Sequence, residues 1–261
     1  MSDLMKSNYV PGWIKQGRRP SWVSDSELSS KFGVNQYLWG NMPAVNMLKK
    51  KDSDAVDEFH RDMNLLFAAS GDIRNVVKSI VDGLPDEYTC RCLLVINDVN
   101  FTVFARNAIL LFVALSLEPN EAVAIMIHVW YSALLPQVMI DILHRLVLGR
   151  ISDVCEKIKD KPSTSIQAKT FSFGKRSLRL ILKKHQWDEL KEYCNVPQGL
   201  TKDDAQAIRR RIMLAPERVD YLHRALCNQP FQFRVATVTF RKDGILLPHG
   251  TSRQEFDTPN P

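Results

Sequence analysis

Met63-Asn64-Leu65-Leu66-Phe67-Ala68-Ala69 is a short, mostly apolar run that ends in the polar turn Ser70-Gly71-Asp72. A run of this length predicts a strand buried on both faces, as in a parallel sheet. Ile73, Val76, Val77 and Ile80 follow at helical spacing, and Gly83 is read as closing that helix. Cys92-Leu93-Leu94-Val95-Ile96 predicts a second buried strand, ending in Asn97-Asp98. Phe101 to Leu117 then reads as a buried helix. Strand, loop, helix, strand, helix is a βαβ pattern, which implies adjacent parallel strands and a right-handed crossover. The expected fold class is α/β: a Rossmann-like parallel sheet unit with extensive added helices.

Downstream the chain turns helical. Pro119 suits the first turn of a helix over 119–134, and 137–159 reads as helical with a break at Gly149. Ala122 to Ile140 is 19 residues without a charge, near the length that spans a bilayer. It carries His128, Gln137 and Pro136, so two buried helical pieces meeting near Pro136 are expected, with no membrane span. Phe171-Ser172-Phe173 reads as a short strand or turn, and Arg176 to Lys184 and Gln186 to Tyr193 as helices. Thr201 is a good N-cap, with Asp203 and Asp204 in the first turn of a helix to Leu214. Pro216 starts another, to Leu226. Phe233 to Phe240 has strand composition, Lys242-Asp243-Gly244 is a turn signal, and Ile245-Leu246-Leu247 is its expected partner.

Upstream, residues 1–40 read as an irregular arm holding Trp13, Trp22 and Trp39 among prolines and glycines. Such aromatics staple an arm onto a core. Nucleic-acid stacking would use the same residue types near Arg18-Arg19, and is the weaker reading. Asn41 to Leu48 reads as a short turn or helix and 54–60 as a helix. The expected organisation is therefore the arm, 1–40, followed by one α/β domain, 41–261, that is helix-rich over 119–227.

The composition, 45% hydrophobic and 25% charged over 261 residues, is ordinary for a globular chain. Cys90, Cys92, Cys155, Cys194 and Cys227 form no CxxC pair. Reduced thiols in the cytoplasm or nucleus are expected, with no zinc site. No signal peptide is visible at the N-terminus, and the last residues have no stop-like character, as in a piece of a longer protein or a short family member. The net charge of +6 permits an anionic partner without demanding one. The short basic clusters, such as Arg209-Arg210-Arg211, read as solvated helix faces.

A loop joining a strand's C-terminal end to a helix is where parallel sheets hold ligands. Ser70, Gly71 and Asp72 occupy that place after the first strand, and Asn97 and Asp98 after the second. Gly71 would allow close backbone approach and the helix N-terminus would offer N–H groups to an anion. Asp98 is placed where a carboxylate takes ribose hydroxyls. The structural alternative has Gly71 serving a tight turn, Asp72 capping its helix and Asp98 capping the next turn. Arg106-Asn107 would then hydrogen-bond into the Asn97-Asp98 turn. His128 reads as a satisfied core histidine. No histidine pair has HxxxH or HExxH spacing, and neither a GxSxG elbow nor a Walker loop occurs.

Several stretches together resemble one family. They include Leu38-Trp39-Gly40-Asn41-Met42-Pro43-Ala44, Leu65 to Val77, Val95-Ile96-Asn97-Asp98 with Ala105-Arg106-Asn107, Leu214 to Arg218, Asp243 to Pro248, and Glu255 to Pro261. They are similar to an uncharacterised domain of fungal proteins, often found behind a MYND-type zinc finger. The same domain forms the N-terminal part of the dynein axonemal assembly factor 3 family. The resemblance implies a class I methyltransferase-like fold and, from the axonemal relatives, a cytoplasmic role in assembly. The MYND cysteine and histidine set is absent here, and the first loop lacks the glycine richness of a working S-adenosylmethionine site. The expectation is a non-catalytic interaction or assembly module with an unknown protein partner. The alternative is an S-adenosylmethionine-dependent methyltransferase using Ser70, Gly71, Asp72, Asn97 and Asp98.

Overall fold

The computed structural model describes residues 9–23, 43–48, 61–213 and 216–261. The helix expected at 54–60, Trp39 and Leu214 lie outside them, and residues 43–48 are irregular. In chain order come β1 (Met63–Ala68), α1 (Arg74–Gly83), β2 (Cys92–Asn97), α2 (Phe101–Ser116), α3 (Pro119–Tyr131), β3 (Leu134–Pro136) and α4 (Gln137–Leu143). There follow α5 (Gly149–Lys157), β4 (Ile166–Phe173), β5 (Arg176–Lys183), α6 (Lys184–Glu192), α7 (Lys202–Met213), α8 (Pro216–Leu226), α9 (Phe231–Asp243) and β6 (Phe256–Pro259). The chain is mixed α/β, and its contacts gather into two compact units, each assembled from separated stretches.

The first unit comprises Gln36–Leu115 and Arg150–Tyr193. β1 and β2 pair in parallel, Met63 opposite Cys92 and Ala68 opposite Asn97, with α1 between them in sequence. That is the expected βαβ unit. The expected burial on both faces is not found. Side chains alternate along a strand, and Leu66, Leu93 and Val95 on the outer face are 66%, 41% and 45% exposed. A continuous apolar run carries no sign of which face is covered. α2 supplies the core, with Leu110, Phe112 and Val113 fully buried. The Phe112 ring meets Phe171 of β4 edge-on, 4.9 Å between centroids.

β4 and β5 form an antiparallel hairpin around Gly174, whose φ is 58°. The sequence predicted a helix over Arg176 to Lys184, so this is a correction. Leu178, Ile181 and Leu182 satisfy helical spacing, but Leu178, Leu180 and Leu182 also satisfy a period of two, and the burial follows the latter. α6 follows as expected and buries Trp187 and Leu190.

The second unit comprises Met1–Asn35, Ser116–Gly149 and Cys194–Pro261. The apolar run Ala122 to Ile140 divides into α3, the short strand β3 and the start of α4, breaking at 132–136. β3 pairs antiparallel with β6. The Asn260 amide donates to the carbonyls of Ser132, at 2.7 Å, and Val129, at 3.0 Å, so it closes the C-terminal end of α3. Among the described residues no helix is long and apolar enough to cross a membrane. His128 is buried, with Nδ1 2.9 Å from Ser132 Oγ, and burial pushes its pKa down. Gly149 has ordinary helical angles, φ −58° and ψ −48°, and does not break the helix; the irregularity is a π-helical stretch over His144–Leu148.

Phe231 to Asp243 is helix α9, where a strand was expected at 233–240, and Ile245 to Leu247 forms no partner strand. The aromatic and β-branched composition is overridden by the ends: Pro230 in front, Arg241-Lys242 in the last turn, and Gly244 behind at φ 76°. Arg209 of α7 donates to the carbonyls of Phe240, which also accepts the Gly244 N–H, and of Arg241 at the end of α9. One member of the Arg209-Arg210-Arg211 cluster is therefore a structural cap. The described part of the arm, residues 9–23, meets α8. Trp13 lies edge-on to His223, 6.3 Å between centroids. Arg18 grips Asp220 through two 2.6 Å bonds, and the Ser21 N–H adds a third at 2.8 Å. Asp220 is fully buried, and the guanidinium of Arg18 holds its pKa below the usual carboxylate value.

Candidate functional site

The loop after β1 turns twice through left-handed backbone, with φ 49° at Ala69 and 58° at Gly71. A residue with a side chain pays for that conformation and glycine does not. Ala69 is thus a strained position that no composition rule marked. The Ser70 N–H donates to the Asn97 carbonyl at 3.0 Å, carrying the contact between the two chain segments one step past the paired strands.

Gly71 and Asp98 come together as their positions after the two strands foretold. The Gly71 N–H donates to Asp98 Oδ2 at 2.8 Å, and the Asn100 N–H donates to Asp98 Oδ1 at 2.9 Å. Both carboxylate oxygens are thus engaged by backbone. Asn107 of α2 donates from Nδ2 to the Gly71 carbonyl at 2.7 Å, so the two polar atoms of Gly71 are clamped by side chains from both sides of the loop. Asn107 was expected to reach the Asn97-Asp98 turn and reaches Gly71 instead. Its Oδ1 is buried with no hydrogen-bond partner among the described residues.

Asp72 is buried and turns back on the start of α1. Its Oδ1 accepts the Arg74 N–H at 3.1 Å, and both oxygens lie 2.8 Å from Arg74 Nε. The Asn97 residue is exposed, and its part in the loop is the backbone carbonyl that Ser70 uses. Ser70 Oγ lies 3.3 Å from the Gly71 carbonyl. Asn100 was missed by the sequence reading. Its side chain accepts the Thr102 N–H at 3.0 Å and so caps α2. The signal was available, since Asn immediately before an apolar helix is a cap pattern.

An anionic ligand would use the Gly71 N–H, and ribose hydroxyls would use Asp98. Here those two groups are spent on one another. Each carboxylate oxygen keeps a second lone pair, so a ligand would have to share Asp98 with the loop. Every residue of this network lies in one stretch of the chain that is similar to a described family. Residues 38–135 match the family described as Domain of unknown function (DUF4470). The matched stretch holds β1, β2, both loops, α2 and the capping asparagines, and ends within β3. No curated protein and no solved structure matches the chain. Among the described residues no group of three or more His, Cys, Asp or Glu is placed to hold a metal, and none of the five cysteines forms a disulfide.

Proposed function

We propose that this chain is a non-catalytic interaction or assembly module of the cytoplasm or nucleus, built on a Rossmann-like βαβ unit. The observation that carries this reading is the closed Gly71–Asp98 pair. The groups that would receive a nucleotide cofactor already satisfy each other, and Asn107 fixes the peptide beyond them. The resemblance to the fungal MYND-associated domain, and to the N-terminal domain of axonemal assembly factors, supports an assembly role with a protein partner. Under this reading Ser70, Gly71, Asp72, Asn97 and Asp98 hold the loop and bind no cofactor.

Thermal unfolding with ligand tests it. A ligand that binds the native state at about 100 times its dissociation constant adds roughly 2.7 kcal/mol. Neither S-adenosylmethionine nor NAD at saturating concentration should move the melting temperature. A shift with either, abolished by Asp98→Ala, would instead establish a cofactor site and the methyltransferase or dinucleotide reading with it.

A further inference from the structure

The β4–β5 hairpin and its flanks concentrate positive charge. From Lys161 to Trp187 there are seven Lys and Arg and no Asp or Glu. The other residues of the chain hold 28 Lys and Arg against 29 Asp and Glu, so this one stretch carries the whole net charge of +6. Lys184 is paired with Asp188 of α6. Of the others, Lys175 and Arg176 stand at the turn, with Arg179 and Lys183 on the outer face. All four are exposed. That face also carries Ile166 and Ile181, 70% and 59% exposed, on neighbouring strands. Among the described residues neither strand has a second neighbour in its sheet. At about 3.4 Å per residue the ribbon offers roughly 25 Å of strand.

Edge strands are commonly guarded by charge against pairing with other chains. A guard needs charge of either sign; this one is of a single sign. Unpaired strand edges offer backbone N–H and C=O groups that another polypeptide can match. The exposed isoleucines offer apolar contact, which a nucleic-acid backbone does not return, and no aromatic side chain on that face serves for base stacking. We infer that the β4–β5 hairpin is a docking ribbon for an extended acidic segment of a partner protein, one whose carboxylates and apolar residues alternate at every second position and so share one face. The inference deepens the interaction-module reading by giving the partner's chemistry.

Fluorescence anisotropy of a labelled dodecapeptide repeating Glu-Ser-Val-Ser, titrated with the full chain at about 50 mM salt, reads this directly. Saturable binding in the micromolar range is expected, weakening as salt rises. Arg179→Glu/Lys183→Glu should weaken it at least tenfold, and so should Lys175→Glu/Arg176→Glu, while Arg210→Glu/Arg211→Glu should change it less than about twofold. The turn pair is exposed and keeps the test intact if the strand pair fails to fold, which melting of each variant would show. Absence of saturable binding, or equal binding by the folded hairpin variants, would overturn the inference. So would tighter binding of a single-stranded oligonucleotide, or of phosphatidylserine vesicles, in competition. A cofactor-dependent melting shift bears on the module reading alone, so the two failures are distinguishable.

Discussion

Gly71 sits at φ 58° with no heavy atom within 4 Å of where a Cβ would project. The cost of a side chain there is therefore backbone strain and not collision. Gly71→Val should lose on the order of 1–3 kcal/mol in urea unfolding, with Gly71→Ala toward the low end. Asp98→Ala strands two backbone N–H groups, so its loss should be about 1–3 kcal/mol, more than a single cap would give. Protonation adds a further residue-scale outcome. Burial pushes the pKa of His128 and His223 below the ordinary histidine value. The folded state then binds fewer protons than the unfolded one, so stability is full above about pH 6.5 and declines as pH falls below it. Melting temperatures measured from pH 8 to 5 should show that decline, and His128→Gln should flatten part of it. Asp220, held low by Arg18, contributes a separate loss only below about pH 4. Gly71, Asp72, Thr201 and the bond of Asp98 to the Asn100 N–H were legible in the sequence because turn and cap chemistry acts within a few residues. Asn107 was not, because it acts on a carbonyl 36 positions away.

Helix α1 ends on a glycine that serves packing more than termination. A Cβ on Gly83 would lie 2.8 Å from Leu48 Cβ and 2.9 Å from Asn46 Oδ1. Gly83→Ala would gain about 1 kcal/mol of helix propensity, yet neither neighbour atom is the far end of a long side chain. The net outcome expected in denaturant unfolding is a loss of about 1–2 kcal/mol. In β5, Leu180 is 4% exposed and its neighbour Ile181 59%. Leu180→Ala should cost about 2–4 kcal/mol and Ile181→Ala less than about 0.5. Similar losses at both positions would contradict the alternation of a strand. The βαβ elements were legible because their apolar runs are bounded by turn residues. β5 was misread because Arg176 to Lys183 fits both periods, and the burial of Leu180 and Leu182, with Phe171 of β4, shows which face is inside. α9 was misread because its side-chain composition favours strand while its two ends specify helix.

Neither compact unit is continuous in sequence, and the family boundary follows neither. Residues 38–135 include α2 but leave out β4, whose Phe171 packs against Phe112. A fragment of those residues would leave that fully buried ring without its cover, at a cost of several kcal/mol against a typical domain stability of 5–15 kcal/mol. It should therefore show no cooperative thermal transition, whereas the full chain should. The interleaving could not be read from sequence, since local periodicity says nothing about which distant segments meet. The Arg18–Asp220 bond joins residues 202 positions apart. Ribosomes add about 5–20 residues per second, N-terminus first. Arg18 and Trp13 therefore leave the ribosome on the order of ten seconds or more before their anchors on α8 are made. Through that interval they are open to chaperones, and a nascent chain stalled ahead of Asp220 should be retained by them while a completed one is released.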